Sequence, residues 1–83
     1  MDLDAAVTAL QEAQDAEQRA KDEAAQIVAD ARARVSESRK QLHAAIVDAY
    51  LSGIRQKAIV ERTGMTRESI RRILRAGGVE ADE

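Results

Sequence analysis

The sequence predicts an all-α fold, in which a long N-terminal helix leads into a three-helix head. Three observations carry that expectation. Proline is absent, and no glycine precedes Gly53. Apolar residues recur every three to four positions, the spacing that puts them on one face of a helix. The four glycines fall at 53, 64, 77 and 78, where they punctuate a helical pattern rather than interrupt it.

From Asp2 to Ser52 the chain is dominated by Ala, Glu, Gln and Arg, all strong helix formers, which predicts one helix over roughly residues 4 to 51. Its first part, residues 1–38, reads as an Ala-rich arm. With Leu3 at position a of a heptad, the a positions are Leu3, Leu10, Glu17, Ala24, Ala31 and Ser38. The d positions are Ala6, Ala13, Ala20, Ile27, Arg34 and Gln41, and Val7, Val28, Val35 and Leu42 lie alongside at e. The stripe is thin, with polar interruptions at Glu17, Arg34 and Gln41. A helix this polar is marginal in water unless its apolar face is covered. The expected cover is a second copy in a homodimer, through Leu3, Val7, Leu10, Ala24, Ile27, Val28, Ala31 and Val35. Parallel and antiparallel pairing both fit the stripe. A solvated monomeric helix held by intrahelical charge pairs is the plainer alternative. Val35-Ser36-Glu37-Ser38 is the weakest helical stretch and the expected place for a kink.

Residues 39–76 form the expected head. Leu42, Ala45, Ile46, Ala49 and Tyr50 make the stripe of its first helix, which Ser52-Gly53 ends. Ile59 and Val60 face inward from a second helix, and Ile70, Ile73 and Leu74 from a third. The expected core is Leu42, Ile46, Ala49, Ile54, Ile59, Val60, Met65, Ile70, Ile73 and Leu74. Tyr50 reads as a core-edge ring and His43 as a surface residue. Residues 77–83 should close the last helix with a left-handed glycine cap and run on as a disordered acidic tail.

The stretch Gln56 to Arg75 carries the functional signal. Gly64 can adopt a left-handed backbone and end one helix, Met65 plugs the turn, and Thr66 can cap the next. Opposite its isoleucines, the last helix carries Arg67, Glu68, Arg71, Arg72 and Arg75. This stretch resembles the helix-turn-helix of bacterial and phage repressors and of Hin-type recombinase DNA-binding domains. The matching positions are Gln56, Ile59, Gly64, Met65, Thr66, Ile70 and Ile73. Two positions depart from the pattern: Val60 stands where a closer helix crossing favours Ala, and Arg55 where Ser or Thr often caps.

The resemblance implies that the last helix enters the major groove of double-stranded DNA, with Thr66, Arg67, Glu68 and Arg71 nearest the bases. Arg67 and Arg71 would each grip a guanine edge, and Glu68 would accept from a cytosine amino group. Ser69, Arg72 and Arg75 are the expected phosphate contacts on that helix. Arg55, Gln56 and Lys57, at the start of the preceding helix, are the others. Arg39 and Lys40 add candidate backbone contacts.

The net charge of −2 conceals a segregation that fits this reading. Residues 1–35 carry eight acids and four bases, residues 36–76 four acids and nine bases, and the last seven residues three acids and no base. The segment holding the motif is therefore at +5. Cysteine is absent and His43 stands alone, so neither disulfides nor a cysteine or histidine metal site is expected, and no cofactor. No paired-carboxylate, nucleophile-base or phosphate-loop constellation suggests an enzyme or a small-molecule ligand. The acidic N-terminus lacks the continuous apolar run of a signal peptide or membrane span, and a cytoplasmic protein is expected. Arginine outnumbers lysine ten to three, a hint of a GC-rich bacterial, phage or plasmid source. The expected function is sequence-specific DNA binding by a small dimeric transcriptional regulator. The alternative is an architectural or protein-interaction module in which the long helix mediates assembly.

Overall fold

The computed structural model describes residues 2–81. Among them are three α-helices, α1 (Leu3–Leu51), α2 (Gln56–Thr63) and α3 (Arg67–Ala76), and no strand. The all-α class and the long first helix are as expected. The chain divides into two units, Met1–Val35 and Ser36–Glu83.

The first unit is the arm. Asp2 caps α1, its Oδ1 accepting from the Ala5 N–H at 2.6 Å, which satisfies one of the amides a helix start leaves bare. Beyond it the arm has little but itself to hold it. Glu17 and Lys21 pair at 3.0 Å, while Gln18 donates to Asp22 and Gln26 to Asp30 one turn on. Such exposed pairs each stabilise a helix by only about 0.2–0.5 kcal/mol. Every described residue of this unit is exposed except Ala31, which is half-buried. The apolar stripe is therefore bare.

Val35-Ser36-Glu37-Ser38, the weakest helical stretch of the sequence, is helical throughout. The physical reason is modest cost: a serine forfeits at most ~0.7 kcal/mol relative to alanine, and strong helix formers flank the pair. No helix among the described residues is long and apolar enough to cross a membrane.

The second unit is the head, built from the end of α1 with α2 and α3. Its centre is Ile46, Ile59, Ile70 and Leu74, with Ala49, Ile54, Val60, Met65 and Ile73 packed partly buried around them. The corners are set by backbone hydrogen bonds. At the end of α1, Gly53 donates to the Tyr50 carbonyl and Ile54 to that of Ala49, both at 3.0 Å. This is a Schellman closure, and it tucks the apolar residue after the glycine back onto the helix. Gly64, at φ +71°, ends α2 by donating to the Val60 carbonyl at 2.9 Å. Thr66 then caps α3, accepting from the Ser69 N–H at 3.1 Å.

The end of α3 differs from expectation. Gly78 is left-handed, as foreseen, and donates to the Arg75 carbonyl, while Val79 donates to that of Leu74 at 2.9 Å. This second Schellman closure returns the chain to the head, where Val79 and Ala81 pack partly buried against the core. A disordered tail does not describe residues 79–81, because the closure delivers an apolar side chain onto the last turn of the helix. Asp82 and Glu83 lie outside the described residues.

Three further side chains depart from the expected core. Leu42 is 41% exposed. It lies a full turn before Ile46 and lines the rim of a groove rather than the centre. Val47 packs on the core in its stead. Gly77 lies so close to Val47 that a Cβ on the glycine would sit 2.7 Å from Cγ2. His43 is half-buried beside Ala44, Val47 and Gly77 rather than at the open surface.

Candidate nucleic-acid interface

The candidate interface is α3 with the start of α2. Helical periodicity sorts α3 into two sides. Ile70 and Leu74 are fully buried and Ile73 is half-buried; Glu68, Arg72 and Arg75 are exposed opposite them, and Arg67 is exposed at the first position of the helix. Burial of the aliphatic side fixes the orientation of the helix, and with it the direction in which the charged side faces. Each buried Ile or Leu contributes about 1.5–3 kcal/mol to holding it there.

At the N-terminus of α3, Thr66 is exposed and Ser69 half-buried. The Thr66 hydroxyl also donates to the Ser69 Oγ at 2.9 Å, so the two side chains lock the first turn. Thr66, expected at the bases, is thus committed to capping. Ser69, expected at a phosphate, still has its own hydroxyl proton to donate.

Arg71 is the arginine the fold treats differently. It is half-buried, and its Nε lies out of water with no hydrogen-bond acceptor among the described residues. Together with Arg75 it lines a recess of about 170 Å³ whose other wall is Val79, Glu80 and Ala81. The returning chain end therefore lies along the side of α3 expected to face DNA, and it brings a carboxylate with it.

At the start of α2, Arg55 and Lys57 are exposed, as a phosphate contact requires. Gln56 is not: it is fully buried, at 0% exposure. It cannot present its amide to a phosphate unless the head opens, and it leaves the set of expected contacts. The signal that could have placed it inside is its spacing. Gln56 precedes Ile59 by three positions and Val60 by four, so the three share the inward face of α2. Arg39 and Lys40 are exposed on α1.

What this arrangement can do chemically is hold anions. The exposed guanidinium and ammonium groups of Arg55, Lys57, Arg67, Arg72 and Arg75 offer charge-assisted donors and no acceptor. Arginine's planar fork suits phosphates and guanine edges alike. Comparison with protein-family models, with curated proteins and with solved structures returned no match.

Proposed function

We propose that this chain is a small double-stranded DNA-binding protein, with α3 laid in the major groove and the start of α2 on the phosphate backbone. The observation that carries the reading is the concentration of charge on α3: three exposed arginines and a half-buried fourth on a ten-residue helix whose Ile70 and Leu74 are sealed in the core. A helix so fixed sets the backbone positions of its cations in advance, so binding need not order the helix itself. Arg67 and Glu68, near the exposed N-terminal end of α3, are the base readers. Arg71 joins them when the 79–81 segment yields, and Arg55, Lys57, Ser69, Arg72 and Arg75 hold phosphates.

The bare stripe of the arm supports a homodimer, so that two heads act on one DNA and the protein works as a cytoplasmic transcriptional regulator. The same exposed stripe also supports the second reading. There the arm assembles with partners, and DNA is bound without sequence preference or not at all.

Binding to random duplex DNA at two salt concentrations separates the two. The four cationic phosphate contacts per head, Arg55, Lys57, Arg72 and Arg75, predict a loss of affinity on the order of a hundredfold for a fourfold rise in salt, by counterion release. Undetectable binding at low salt, or binding indifferent to salt, rejects the DNA reading.

A further inference from the structure

We infer that two copies of this chain pair antiparallel along the arm, with Glu17 of each copy facing Arg34 of the other. The inference rests on the self-association part of the proposed function and is independent of its DNA-binding part. It starts from the interruptions of the arm's stripe. Glu17 and Arg34 are both exposed, occupy the stripe itself, and are opposite in sign. A parallel in-register pair sets Glu17 on Glu17 and Arg34 on Arg34, two like-charge contacts at a partly dry seam. An antiparallel pair with Glu17 opposite Arg34 makes two ion pairs from the same four groups. Two features that weaken the first arrangement specify the second, as polar groups in helix seams do.

Glu17 has an intrahelical partner in Lys21, but both ends of that pair are about two-thirds exposed, at 69% and 65%. Only its Oε1 is engaged, so Oε2 can take Arg34 of the other copy.

Placing Glu17 against Arg34 fixes the register of the whole overlap. Ala20 then meets Ala31 and Ala24 meets Ile27, each an a position facing a d position of the other helix. An alanine at each of these layers lets the two backbones approach closely.

The test is charge reversal read by sedimentation equilibrium without DNA. Glu17→Arg and Arg34→Glu each place like charges together twice, and each should weaken the dimer by roughly tenfold or more. The double reversal should restore it. Because a reversal could also perturb the helix, cysteine pairing supplies a second readout in a chain with no native cysteine. Ala20→Cys and Ala31→Cys, mixed and oxidised, should cross-link to each other and neither to itself. Self-linking of Ala20→Cys, or single reversals without effect on a dimer, overturns the pairing direction. A chain that sediments as a monomer overturns the inference and self-association together, and leaves DNA binding to be judged by its salt dependence.

Discussion

Arg67 and Arg72 are both exposed on α3, yet the proposed reading gives them different work, and substitution separates the two roles. Arg67→Ala should cost about 1–3 kcal/mol on a specific site and relax preference at one base pair. Arg72→Ala should weaken all sequences alike and reduce the salt slope by about one phosphate. Competition binding between specific and random duplexes checks both; equal losses in the two variants would contradict base readout by α3. Gly77 poses a different residue-scale question, one of packing. With Val47 Cγ2 2.7 Å from where a Cβ would stand, Gly77→Ala must displace a stiff β-branched side chain. It should lower stability by about 1–3 kcal/mol. Val47→Ala in the same chain should recover part of that loss in thermal unfolding, and a Gly77→Ala protein of unchanged midpoint would show that the head accommodates the methyl freely.

At the scale of elements, α3 depends on its cap. Thr66 serves the Ser69 amide and hydroxyl, so Thr66→Ala should destabilise the head by about 0.5–2 kcal/mol, with Thr66→Ser largely neutral, as measured by denaturant unfolding. A loss of the same size in both variants would place the effect outside the hydroxyl. The elements are also where sequence reasoning reached furthest. Composition without Gly or Pro gave α1, and Gly64 with Thr66 gave the corner between α2 and α3, since those features act within a few residues. Burial is decided by neighbours remote in sequence, and there the reading was incomplete. Leu42 has the right residue type for a core but lies a turn too early to be covered. Gln56 has the wrong type and is sealed because the face it shares with Ile59 is sealed. Val79 looked like part of a polar tail, although an apolar residue directly after a left-handed glycine commonly packs back on the helix it follows.

At the scale of the whole molecule, charge and apolar surface are divided between two units. The arm holds a bare aliphatic stripe in an acidic helix, and the head holds the basic face on a core of four buried aliphatic side chains. So small a core leaves little stability in reserve. If self-association covers the stripe, helicity and unfolding temperature depend on concentration, because binding only the folded form stabilises it. Dilution through the dimer's dissociation range should lower the far-ultraviolet helical signal; a signal unchanged over a hundredfold dilution would indicate that the arm stands alone.

The claim on which the function turns is that the arginine side of α3 meets DNA. Titrating an isotopically labelled chain with duplex DNA and following backbone amide shifts tests it directly. The largest changes should fall on residues 66–75, with smaller ones at Arg55 and Lys57 and in the 79–81 segment that borders Arg71. Shifts confined to the arm, or no shifts at low salt, would contradict it.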